Sequence, residues 1–319
     1  MPTSLLSQRR RGIVLCLVSA CGFGLMAIFA KEAYLAGLGV TSLLAARFVL
    51  AAALFWAIVA LRPATRPPRR LVVGCLALGC VGYAAQAGFF FSALQHIDAS
   101  LTSLLLYVYP ALVFCAAVAL GRERVDPWKA GALVLASAGA ALVLLGGGTG
   151  GLQLTGVLLA LAAAATYATY ILVTETIVRR VDPFLLGALV TTGAAATFLV
   201  AGGASGSLQF TAGGWIWIAA LAVLSTILPI VTFMLGMKRV GASTASIVST
   251  VEPVVTVGLA VVLFGDALGP LQVLGGALVL SAVVALQSRG LRSITVRRRV
   301  PAAHATAAAP ARTPAREAA

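Results

Sequence analysis

Charge is what this chain has least of. Only 10% of its 319 residues are charged and nine are acidic, while 61% are apolar; soluble domains are about one quarter charged and half apolar. A water-soluble globule is excluded on that balance. Histidine is nearly absent, with two copies, His96 and His304. The five cysteines, Cys16, Cys21, Cys75, Cys80 and Cys115, all fall inside apolar stretches, so neither a disulfide framework nor a zinc site is implied. Without clustered His, Asp or Glu at one depth, an intramembrane enzyme lacks its acid–base groups. The glycine run Gly146 to Gly151 lacks the Gly-Lys-Ser/Thr ending of a phosphate-cradling loop, so ATP-driven chemistry is not supported and no cofactor is expected.

The apolar residues are spread along the chain in stretches long enough to cross a bilayer at about 20 residues each. We place spans at 12–31, 41–61, 71–94, 99–120, 128–146, 152–174, 183–201, 212–236, 242–263 and 269–287, ten in all. The expected fold is an all-α membrane protein. The net charge of +14 raises the question of nucleic acid, but the basic residues sit between the apolar stretches. With a cytoplasmic amino terminus, every basic residue except Lys31 and Arg47 falls on the inner side, as the positive-inside rule requires. Both termini are thus expected in the cytoplasm and nucleic acid is not an expected partner. Val18-Ser19-Ala20-Cys21 has the form of a lipoprotein cleavage box, yet the apolar run continues well past Cys21. Residues 1–11 read as a basic cytoplasmic start, and 289–319, rich in Ala, Pro and Arg, as a disordered cytoplasmic tail.

The chain repeats itself. Ala99 to Pro110 matches Ala242 to Pro253 at an offset of 143, with five of twelve positions identical, and the same register pairs Leu120 with Leu263, Glu123 with Asp266 and Pro127 with Pro270. Gly131-Ala132-Leu133-Val134-Leu135 recurs as Gly276-Ala277-Leu278-Val279-Leu280, and Gly12 to Lys31 runs alongside Gly156 to Glu175. Two five-helix units follow, 12–147 and 148–288. Five is odd, so the second unit enters the bilayer from the opposite face and the pair forms inverted repeats. Such repeats allow two exchangeable conformations around a midplane site, the basis of alternating access.

An ionisable residue deep in a span costs about 2.5–3.5 kcal/mol on insertion scales and calls for a partner, a wet cavity or a function. Two qualify, Glu252 near mid-depth and Arg47 about 9 Å below the outer surface at 1.5 Å per residue. Glu252 is either a proton-titrating or substrate-contacting carboxylate, or a protonated latch between helices. Arg47 either holds a substrate anion or is structural, snorkelling outward or paired internally. Pro110 and Pro253 are equivalent and expected to bend their helices and free a carbonyl, shaping the cavity. Polar and aromatic side chains recur at helical spacing: Tyr83, Gln86 and Phe90; Ser100, Ser103 and Tyr107; Tyr167, Tyr170 and Thr174. Together with Ser225, Thr226, Ser246 and Thr250 they outline a largely apolar, sparsely polar pocket, or else hydrogen-bond between packed helices.

Ala93-Leu94 to Pro110 followed by Leu120-Gly121-Arg122-Glu123, and Met237 to Ser243 through Glu252-Pro253 to Leu263-Phe264-Gly265-Asp266, resemble the EamA repeat of the drug/metabolite transporter superfamily. The resemblance implies ten helices in two inverted EamA halves, with a cavity formed mainly by the first, third, fourth, sixth, eighth and ninth. It also implies secondary transport, in the exporting direction, of amino acids or related small metabolites across the plasma membrane. Tyr109 stands where the second copy has Glu252, so carboxylate chemistry is asymmetric. The alternatives are a membrane enzyme or flippase acting on lipid-linked substrates, or a small-molecule channel. Partners are a small-molecule substrate and the bilayer; the sequence carries no signal of oligomeric state.

Overall fold

The computed structural model describes residues 2–62, 67–121, 127–146, 153–178, 181–240, 248–249 and 251–297. Everything regular among them is helical: α1 Pro2–Leu35, α2 Val40–Ala60, α3 Arg69–Ala77, α4 Ala84–Ala93, α5 Ala99–Leu106, α6 Tyr109–Ala119, α7 Pro127–Gly146, α8 Leu154–Val178, α9 Pro183–Ser205, α10 Gly214–Ala222, α11 Leu228–Val240, α12 Val251–Phe264 and α13 Pro270–Arg297. A π turn, Leu78–Tyr83, fuses α3 to α4, and a second, Val223–Ile227, fuses α10 to α11.

Seven stretches among the described residues are long and apolar enough to cross a membrane: Arg10–Leu35, Val40–Ala60, Arg69–Ala93, Ala99–Ala119, Leu154–Thr174, Pro183–Ser205 and Gly214–Met237. Shorter apolar helices run over Val134–Val143, Val251–Phe264 and Pro270–Ala282. Helices suit a bilayer because each satisfies its own backbone polar groups. The outside of the bundle is correspondingly apolar, with Val200 71% and Val262 78% exposed, as lipid contact demands. Inside, fully buried Ala20, Ala30, Ala45, Ala51, Ala163 and Ala188 let helices approach closely. Polar side chains then tie helix to helix. Ser19 Oγ donates to Pro229 O at 2.8 Å, Thr197 Oγ1 to Cys80 O at 2.8 Å and Thr256 Oγ1 to Gly24 O at 2.9 Å.

The packing repeats with the sequence. α7 lies along α13 and α2 along α9, each joining equivalent helices of the two copies. α1 packs on α11 and α12, and its counterpart α8 packs on α4 and α6. The pattern therefore maps onto itself when the copies are exchanged. Finer landmarks agree. The π turns end at Tyr83 and Ile227, 144 positions apart, and the left-handed glycines closing α6 and α12, Gly121 (φ 67°) and Gly265 (φ 69°), share that spacing.

Several expected boundaries shift. Pro110 does not bend a continuous helix: the backbone breaks at Tyr107 and Val108, and Pro110 lies in the first turn of the new helix, where a missing N–H costs nothing. Pro253 is likewise in the first turn of α12, which starts at Val251. The final helix reaches Arg297, so the described part of the segment expected to be disordered from residue 289 is helical. Ser246, Thr250, Arg122 to Arg124, Arg179, Arg180, the glycines 147–151 and the tail beyond 297 lie outside the described residues.

Candidate functional site

The starts of α6 and α12 and the first π turn meet at one cavity of about 320 Å³ inside the bundle, with the second π turn behind it. That is enough for a small metabolite. Its wall draws on both sequence copies. α1 gives Phe23, Met26 and Ala27; α2 gives Arg47; the π turn and α4 give Tyr83, Gln86, Ala87, Phe90 and Phe91; α5, α6 and the break between them give Ser103, Leu106, Tyr107 and Tyr109. From the second copy come Tyr167, Phe233, Ser249, Glu252 and Thr256.

The break in the fourth stretch swings Tyr107, the residue after α5, into the wall while Tyr109 opens α6. Tyr107 Oη donates to Ser249 O at 3.3 Å and also meets the Glu252 carboxyl. Glu252 occupies the first turn of α12, where the helix dipole favours negative charge. Thr256, one turn further on, donates to Gly24 O and to Glu252 O and so pins α12 to α1.

Arg47 lies on the same cavity and is 1% exposed. Its Nε donates to Thr226 Oγ1 at 3.1 Å, and Thr226 in turn donates to Leu221 O at 2.8 Å. Thr226 is supplied by the second π turn, Tyr83 by the first. π turns displace side chains from helical register and often mark functional positions; here the first puts Tyr83 in the wall and the second puts Thr226 behind it, against Arg47. No ion pair joins Arg47 to Glu252 among the described residues.

Rings connect the two charged residues. Phe48 lies 5.1 Å from the Arg47 guanidinium and 5.4 Å from Tyr83; Tyr83 lies 5.4 Å from Tyr170. Tyr170 stacks on Tyr167 at 6.3 Å, Tyr167 meets Tyr109 edge-on at 4.7 Å, and Tyr109 meets Tyr107 at 5.9 Å. Such offset and edge contacts hold aromatic side chains rigidly.

Of the residues expected at the site, Tyr83, Gln86, Phe90, Ser103, Tyr107, Tyr167, Glu252 and Arg47 line the cavity. Tyr170 and Thr226 form a layer behind it. Buried Pro253 does not line the wall, and Pro110 is placed here by its backbone only. Ser100 lies elsewhere, where its N and Oγ donate to Asp266 Oδ2 at 3.2 and 2.9 Å. The sequence reading missed Phe23, Met26, Phe91 and Phe233 as lining residues, and it named Tyr109 only as the counterpart of Glu252.

Comparison with known proteins accords with this architecture. The chain is 26% identical to Uncharacterized transporter YcbK of Bacillus subtilis (strain 168), covering 91% of this chain and 97% of that one. It is 29% identical over 231 residues to an Uncharacterized transporter of Archaeoglobus fulgidus, covering 70% and 78% of the two chains. A solved crystal structure superimposes with a TM-score of 0.59 at 22% identity over 90% of this chain and 98% of the other, a likeness of fold. The profile of the EamA-like transporter family matches residues 10–145 and again 154–287, the two units the internal repeat divides, and on that double match the chain belongs to the EamA-like transporter family.

Proposed function

We propose that this membrane transporter is a secondary carrier exporting amino acids or related small metabolites across the plasma membrane. It would cross the bilayer ten times, in two inverted five-helix halves, with both termini cytoplasmic. The observation that carries this reading is a central cavity walled by both copies of the repeat, within a packing pattern that survives exchange of the copies. If each half can take the other's shape, the cavity opens first to one face and then to the other. Glu252, in the wall and in the first turn of α12, is the coupling residue: it takes up and releases a proton as the halves exchange.

The experiment is flux into proteoliposomes of purified protein across a broad panel of metabolites, with and without unlabelled substrate on the far side. A carrier saturates and is accelerated by trans substrate. Unsaturable flux insensitive to the trans side would make the protein a channel and overturn the proposal.

A further inference from the structure

Arg47 is buried yet forms part of the cavity wall, and the nature of its partners narrows what the cavity takes. A guanidinium stays protonated throughout the physiological range, so its charge has to be balanced where it sits. Every protein group that it touches is uncharged. Nε uses Thr226 Oγ1, Nη2 points to Met26 Sδ at 3.6 Å, and the rings of Phe48 and Phe91 flank it at 5.1 Å each. The other terminal nitrogen, Nη1, has no protein partner among the described residues. Glu252, the acidic residue on the same cavity, meets Tyr107 instead.

An arginine serving structure alone inside a bilayer is normally matched by a carboxylate or by backbone carbonyls, because an unmatched buried charge is costly. Here the side chain is clamped by a hydroxyl, a thioether and two ring faces, a set that fixes its direction and leaves its charge available. A clamped guanidinium is preorganised for the planar, two-pronged geometry of a carboxylate.

We propose that Arg47 is the receptor for a carboxylate on the transported molecule, so that the carrier selects acid-bearing metabolites over amines, sugars and cations. This deepens the carrier reading and rests on it. A single arginine balances one negative charge, which fits a carboxylate better than a phosphate. The apolar body of the substrate would lie along Tyr83 and the tyrosines beyond it.

The test uses matched series in proteoliposomes of the full chain: aromatic and aliphatic amino acids, their methyl esters and the corresponding decarboxylated amines, each as a competitor in exchange and as a stabiliser in thermal unfolding. The acids should act at concentrations about tenfold or more below their esters and amines, the range of a charge-assisted bond. Arg47→Gln should erase that preference, and Arg47→Lys should keep only part of it, retaining the charge without the fork. Esters or amines as effective as acids would overturn the proposal, as would a folded Arg47→Gln that keeps the preference, or a chloride requirement in place of the carboxylate. If Arg47→Gln does not fold, the wild-type comparison decides. Saturable exchange of amines alone would remove Arg47 from recognition and leave the carrier reading standing; no exchange of any compound would count against that reading, and acid-versus-ester stabilisation would then decide the assignment of Arg47.

Discussion

At the scale of single residues, Glu252 and Arg47 share one cavity and make separate contacts, each with its own uncharged neighbours. Glu252→Gln keeps the size and hydrogen-bonding capacity of the side chain and removes only its ability to ionise. Its expected effect is a flux that no longer responds to pH, with the folded yield in detergent near that of the wild type. A variant whose transport follows pH as before would take Glu252 out of coupling. The two charged residues were legible in the sequence because a charge stands out in an apolar span. Phe23, Met26, Phe91 and Phe233 were not, since a phenylalanine facing a cavity has the same sequence signature as one facing lipid. Tyr170 was expected on the cavity and lies one layer behind it; a helical period gives a direction and not a depth.

Elements are held to one another by contacts that leave little tolerance. Gly193 of α9 crosses the first π turn, and a Cβ at this position would fall on Leu76 O and Cys80 N, both backbone atoms that cannot swing aside. Gly193→Val should therefore cost about 1–3 kcal/mol or prevent folding, the range for overpacking, read as a lower unfolding midpoint in detergent. The start of α5 makes a second case. Asp98 stands at its formal N-cap position without a side-chain cap bond, and the capping carboxylate comes instead from Asp266, across the bundle after α12. Asp266→Ala should lose about 1 kcal/mol, as a capping residue does, while Asp98→Ala should be nearly neutral in the same assay. Equal losses would show that the cap is local after all. Sequence spacing had paired Asp266 with Glu123 as repeat landmarks, but the tie to Ser100 depends on how the copies dock, which no local pattern encodes.

For the whole molecule, the repeat was legible in scattered landmarks, and the symmetric packing of α1, α8 and their partners follows the same register. The proposed orientation has its own check. With the five native cysteines replaced, a cysteine at Ser207, between α9 and α10, should react with an impermeant reagent added outside intact cells, and one at Arg62, after α2, only after lysis. The reverse pattern would invert the topology and with it the direction assigned to transport.

Both copies contribute to the cavity wall, but its charged residues do not repeat. Tyr109 stands opposite Glu252 in the repeat, and neither Val190 nor Thr191, 143 and 144 positions beyond Arg47, carries a charge. Were the copies equivalent in chemistry as well as in shape, a ligand would bind the inward-open and outward-open forms equally, and half-saturation would be identical from either face. On the proposed exchange of shapes, uneven placement of the polar groups would make the two forms unequal in energy and in grip. A carrier of the proposed kind would then have a resting side, to which it returns when empty.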